Sequence, residues 1–272
     1  MSETGTRIGF VGPRLAPARL SGLLARLGEH ARVDVADVVA GREALHQGEL
    51  ELLVIRGEDW PGGDVELLAV PKRPDAADVL LSPVTMAELA AGTPVVVDTE
   101  LRRALLLATR PDLVPTMAAG DASVDAEDAR GAASPRVLAA ADLETGAERL
   151  ELGDWPTAPG QGALVIEGRR AVEGGLRRRI DRLDHPTSRL TLRAERAVQA
   201  ALDAAGAPVE RLGATAMLED GLLFLTARVV AADGSSSLTA SHAGYPEDAD
   251  DAALELAGRV AAELLEGLDG LS

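Results

Sequence analysis

Apolar and polar positions along this chain fall into blocks that switch between the period of a strand and that of a helix. Residues 7–11 (RIGFV) form a short apolar run stopped by Gly12-Pro13, residues 15–27 carry leucines at helical spacing, and residues 32–35 return to an extended pattern. This predicts a βαβ opening. Further buried strands are expected at 50–55 (LELLVI) and 67–71, and residues 94–98 (PVVVD) begin a second unit ahead of a helix over 101–109. Strands alternating with helices predict a mostly parallel sheet. Residues 118–134 (AAGDASVDAEDARGAAS) are small and polar, and fit either a weak helix or a mobile loop.

Strands are expected again at 137–141 and 163–167, after which Pro186-Thr187 opens a long helix over 190–205. The tail then changes character. Residues 214–218, 222–230 and 236–240 read as an antiparallel set turning at Asp220-Gly221, closed by a helix over 248–265. The class expected is α/β, with a boundary near His185.

The core should be aliphatic, because hydrophobic residues make up 46% of the chain and aromatic ones only 2%. Lys72 is the only lysine, so the cations are otherwise arginines, suited to gripping carboxylates and unable to give up their charge. A formal net charge of -17 argues against nonspecific nucleic-acid binding. No run approaches a membrane span and the N-terminus has no secretory pattern, so a cytoplasmic protein is expected. His30, His46, His185 and His242 are scattered without ligand spacing, and no metal site is expected. Cysteine is absent from all 272 residues, which excludes thioether, disulfide and thiolate chemistry on a side chain of this sequence.

Several stretches, in order, carry a resemblance: EALHQGELELLVIRGEDWP with LLAVPKRPDAADVLLS, then TELRRALLLATRPDL, then APGQGALVIEGR with HPTSRLTLRAERAV behind it. Together they resemble hydroxymethylbilane synthase, the porphobilinogen deaminase family of tetrapyrrole and heme biosynthesis. The resemblance implies two periplasmic-binding-protein-like α/β domains joined by hinges, plus a small C-terminal α/β domain with a short antiparallel sheet. On this chain they are expected at residues 1–93 with 163–185, at 94–162, and at 186–272. It also implies a transferase that condenses four porphobilinogen units on a dipyrromethane primer held to a cysteine by a thioether.

Carried over residue by residue, Asp59 in GEDWP matches the catalytic aspartate; read locally, it is a turn residue before Trp60-Pro61. Arg102 and Arg103 match the pair that grips substrate and cofactor carboxylates, with Thr99 before them. Their plain alternative is a solvated helix face, since adjacent helix positions point apart. Gly160, Gln161 and Gly162 match the signature of the return crossing, with an architectural use and a possible ligand contact. Asp75 and Asp78 match an acidic pair and are expected in a loop or cap role.

The pattern then departs from the family. The anchoring cysteine falls on Gly206 or Pro208, depending on the side from which it is aligned, and Val209 to Arg211 are extra residues. Family cations become Val11 and Gly12, a histidine and serine become Ile55 and Arg56, a lysine becomes Glu58 and a serine Glu100. An Arg-Gly-Asn segment reads Ala119-Gly120-Asp121, and a further lysine becomes Glu144. Such acids would repel a polycarboxylate by about 4 kcal/mol per close pair at an effective dielectric of about 20, with arginines such as Arg14, Arg56, Arg73 and Arg136 compensating in part. The expectation is a divergent paralogue with no covalent cofactor, a pseudoenzyme that binds a small anion such as porphobilinogen; its protein partners are left open. The rival is an active synthase with a noncovalently held primer or a partner subunit.

Overall fold

A computed structural model describes residues 6–11, 17–28, 30–63, 65–118, 134–142, 148–169, 172, 174–246 and 249–268. The chain divides into two compact units, residues 1–74 with 162–189 and residues 75–161 with 190–272. Of the positions singled out in the sequence, Gly12, Arg14, Ala119, Gly120, Asp121 and Glu144 lie outside the described residues, as does most of 118–134.

The first unit is built on strands β1 (Thr6–Val11), β2 (His30–Val35), β3 (Leu52–Arg56), β4 (Glu66–Ala69) and β10 (Leu164–Gly168), in the order β2-β1-β3-β10-β4. β1 runs parallel to β2 and β3, whereas β10 enters between β3 and β4 antiparallel to both. The sheet is therefore mixed and not mostly parallel, because its fourth strand is the chain returning from the second unit. Helices α1 (Pro17–Leu27) and α4 (Gly174–Asp181) lay Leu23, Leu27 and Ile180 on Ile8, Phe10, Leu52, Val54 and Ile166. Helix α2 (Val38–Gln47) starts where the Asp37 carboxylate accepts from Ala40 N at 2.8 Å, and stops at Gly48 in the left-handed region.

The first unit ends at Pro74 and not at residue 93. Strand β5 (Asp78–Leu81) pairs with β8 (Arg136–Ala139) and β9 (Glu148–Arg149), so residues 75–93 belong to the second unit. There the sheet order is β7-β6-β8-β5-β9, with β6 (Pro94–Val97) parallel to β7 (Val114–Met117) and β8. Helix α3 (Glu100–Thr109) covers it with Leu101 and Leu105, packed against Val95, Val97 and Trp155.

The second unit also holds the antiparallel sheet expected of the tail: β11 (Leu212–Glu219), β12 (Leu222–Val230) and β13 (Ser237–Gly244). Asp220 and Gly221 both have positive φ, 49° and 79°, as a two-residue primed hairpin turn requires. Helices α5 (Pro186–Ala204) and α6 (Ala249–Gly267) bury Ala194, Val198, Leu202, Leu256 and Val260 against Leu225 and Ala227, an aliphatic core as composition implied.

Gly206 and Gly234 share a φ of 73°, but a Cβ on Gly206 would meet nothing within 4 Å while one on Gly234 would lie 2.4 Å from Ala108 N. Gly206→Ala should therefore cost about 1 kcal/mol of backbone strain, and Gly234→Ala about 2–4 kcal/mol once the clash with α3 is added. Urea unfolding of the two variants checks this; equal losses would contradict the close approach of the β12–β13 turn to α3.

Candidate functional site

In the second unit the sequence places a charge at each of two positions where a core would otherwise be apolar. Asp78 opens β5 with 1% of its surface exposed, and Arg102 on α3 is 6% exposed. Neither charge survives there without a partner. Arg102 donates from Nε and Nη2 to both oxygens of Asp78, at 3.0 and 2.6 Å, and from Nη1 to Asp98. Its Nη2 also reaches Gln161 Oε1 at 3.0 Å, while Gln161 Nε2 donates to Asp78 Oδ1 and to Ala76 O, both at 2.8 Å. Trp155 Nε1 completes the ring with a 2.9 Å bond to Asp78 Oδ2. Burial opposes the charge on Arg102, but the pull of Asp78 and then of Asp98 outweighs it and raises the guanidinium above its ordinary pKa.

The two candidate arginines thus point apart. Arg103 faces outward, donating to Glu100 Oε2 and to Ala232 O, both at 2.8 Å. Thr99 caps α3, its hydroxyl accepting from Arg102 N at 3.2 Å. Asp78 is therefore neither a loop nor a cap residue, but the anionic half of a buried bidentate pair. Asp75 does hold a turn: its carboxylate accepts from Ala77 N at 3.0 Å and pairs with Arg149 at 2.6 Å.

The return crossing is anchored by a residue given no role in the sequence reading. Glu195 on α5 is fully buried, and its carboxylate accepts from Gly160 N at 2.7 Å and from Ala216 N of β11 at 2.8 Å. Gly160 has a φ of 84°, so the amide reaches the carboxylate from a turn that a side chain would strain. Gln161 is the last residue of this stretch in the second unit, and Gly162 the first of the next stretch in the first unit. Gly206 and Pro208 follow α5, Gly206 exposed and Pro208 leading into the turn Val209–Arg211. Neither carries a nucleophile.

In the first unit β3 ends in a single helical turn, Gly57–Asp59, tied by Gly57 N donating to Ala163 O at 2.9 Å. A second unassigned carboxylate holds the loop that follows. Glu167 on β10 is fully buried and accepts from Trp60 Nε1 at 2.8 Å and from Arg42 Nε at 2.9 Å, while Arg42 Nη2 reaches Gly62 O at 2.6 Å. Asp59 itself is half-exposed, with Arg56 Nε 3.1 Å from its Oδ2; the same guanidinium lies 2.7 Å from Glu58 Oε1. The expected repulsive acids are thus matched internally, Glu58 by Arg56 and Glu100 by Arg103.

Glu167 and Asp78 were legible in one respect: an acid inside an apolar strand, LVIEG or DVLL, demands a buried cation. The partners, Arg42 and Arg102, lie 125 and 24 residues away in sequence, and no local pattern points to them. Among the described residues no group of three His, Asp or Glu side chains could hold a metal ion, and no helix is long and apolar enough to cross a membrane.

The chain matches, over residues 39–176, the family model described as porphobilinogen deaminase, dipyromethane cofactor binding domain. It is 41% identical to a porphobilinogen deaminase of Leifsonia xyli over 82% of this chain and 74% of that one. Identity to the porphobilinogen deaminase of Acidothermus cellulolyticus is 37%, over 85% and 72%, and to that of Thermobifida fusca 34%, over 84% and 76%. The matched description overturns the expectation that no covalent cofactor belongs with this chain: the family it describes uses a dipyrromethane. The sequence itself contains no cysteine.

Removing Arg102 leaves Asp78 buried and uncompensated, so Arg102→Ala should lower unfolding stability by about 3–5 kcal/mol. Arg103→Ala should cost about 1 kcal/mol or less. Urea denaturation distinguishes them; a neutral Arg102→Ala would contradict the structural role assigned to this guanidinium.

Proposed function

The chain belongs to the porphobilinogen deaminase family, and from that membership we propose a cytoplasmic, divergent member of tetrapyrrole biosynthesis, a binding or regulatory paralogue impaired in polymerising porphobilinogen on an anchored primer. Its ligand is porphobilinogen or a related small carboxylate, the substrate class that goes with the family. The observation that carries this reading is that the ionic groups matching the family's machinery already have counter-ions of their own. Arg102 is encircled by Asp78, Asp98 and Gln161, and Asp59 stands against Arg56.

The consequence is chemical. A carboxylate offsets a developing cation only to the extent that it is not already neutralised, and a guanidinium with its donors engaged has few left for a ligand. Arg56 weakens the first role of Asp59 and the buried ring removes Arg102 from the second. Arg103 also has a counter-ion, Glu100, but at 27% exposed it lies in a surface pair for which a carboxylate could compete. A chain without cysteine also lacks the sulfur on which its relatives' primer would be expected to rest.

A second reading is favoured by the half-exposed Asp59 and the 41% identity to a porphobilinogen deaminase: an active hydroxymethylbilane synthase, its primer held noncovalently or supplied with a partner subunit. Calorimetric titration with porphobilinogen, beside a colorimetric assay of its consumption, separates the two. We expect saturable binding without steady turnover. Steady release of hydroxymethylbilane would overturn the proposal in favour of the second reading, and absence of binding would overturn both.

A further inference from the structure

One end of the antiparallel sheet in the second unit carries a small cavity that none of the groups described above lines. It lies between the last residues of β13, Leu223 of β12 and the first half of α6, and holds about 310 Å³, at the low end of the range for small-molecule sites. Leu223 and Leu256, 1% and 2% exposed, give it an apolar floor. Tyr245 and Pro246 line it from the segment after β13. Tyr245 is the only tyrosine of the chain and is 69% exposed, so most of its ring is left uncovered by protein.

Opposite charges line the same cavity. Glu255 and Arg259 stand one turn apart on α6, in the order in which an acid and a base on a helix pair best. Both are exposed, yet among the described residues they form no ion pair with each other or with a third group. The guanidinium turns toward the sheet, where a Cβ on Gly244 would lie 3.6 Å from Arg259 Nη2. A carboxylate and a guanidinium are thus held side by side, unmatched, above an apolar floor. We propose that this cavity binds a small aromatic zwitterion, an aromatic amino acid, with its carboxylate on Arg259, its ammonium on Glu255 and its ring against Tyr245.

The lining selects that class. A ligand with only a carboxylate would meet a like charge in Glu255, and one with only an amine would meet it in Arg259; a zwitterion answers both. It also brings no net charge, so the formal -17 of the chain does not oppose its approach. A planar guanidinium takes a carboxylate bidentately. An aromatic ring gives Tyr245 an offset or edge-on partner while it covers Leu223 and Leu256. None of these side chains has a role in the porphobilinogen reading, so either can fail without the other.

Calorimetric titration of the full chain with L-phenylalanine tests this, beside 3-phenylpropionate, which lacks the ammonium, phenethylamine, which lacks the carboxylate, and L-alanine, which lacks the ring. Saturable binding of L-phenylalanine is expected, about tenfold or more tighter than that of each of the other three. Arg259→Gln and Glu255→Gln should each weaken it about tenfold, with Arg259→Lys restoring part of the loss. Tyr245→Ala should abolish the preference for phenylalanine over alanine. Circular dichroism of each variant reads the fold separately from binding. Absence of saturable binding, equal or tighter binding of 3-phenylpropionate or phenethylamine, or unchanged affinity in Arg259→Gln and Glu255→Gln would each overturn the proposal.

Discussion

The buried pair between Asp78 and Arg102 is the constraint on which the second unit rests. A charge placed beside Leu80 and Leu105 is tolerable only when it is paired and hydrogen-bonded, and here a strand, a helix and the return crossing each supply a partner. Trp155 and Gln161 therefore belong to the same device as the salt bridge. Because three segments distant in sequence meet on one carboxylate, the pair fixes their mutual position as well as their stability.

The first unit repeats the device with Glu167, which ties Arg42 of α2 and Trp60 to the strand that returns from the second unit. Both rings sit where the chain crosses between units, Gln161 just before the crossing and Glu167 just after it. Glu195 adds a third buried carboxylate, holding Gly160 and β11 through their amides. Three acids in an otherwise aliphatic interior thus organise the part of the chain that the family motif covers. That is an architectural use of a sequence pattern otherwise read as ligand chemistry.

Periodicity made much of the fold legible. The apolar runs of β1, β3, β6 and β12, and the helical spacing of α1, α3 and α5, were evident because burial on one face imposes a repeat. Strand β5 was missed because Asp78 opens it and leaves only a short apolar run, and α2 because its caps, Asp37 and Gly48, enclose a segment with few apolar residues. The short α4 was hidden by its arginines. The family motifs singled out Asp59, Arg102 and Gly160, but spacing cannot reveal whether a guanidinium faces a ligand or a buried aspartate. That distinction depends on pairing across the fold, which for Arg102 means contacts with β5 and with Gln161.

The central claim is that Arg102 is committed to the interior and unavailable to a carboxylate ligand. It is tested most directly by nitrogen-15 NMR of the arginine Nε–H groups during addition of porphobilinogen. The account expects the Arg102 resonance to be protected from solvent exchange and unmoved by ligand, while that of Arg103 shifts. An Arg102 resonance that moves or broadens in step with porphobilinogen, ahead of Arg103, would contradict it.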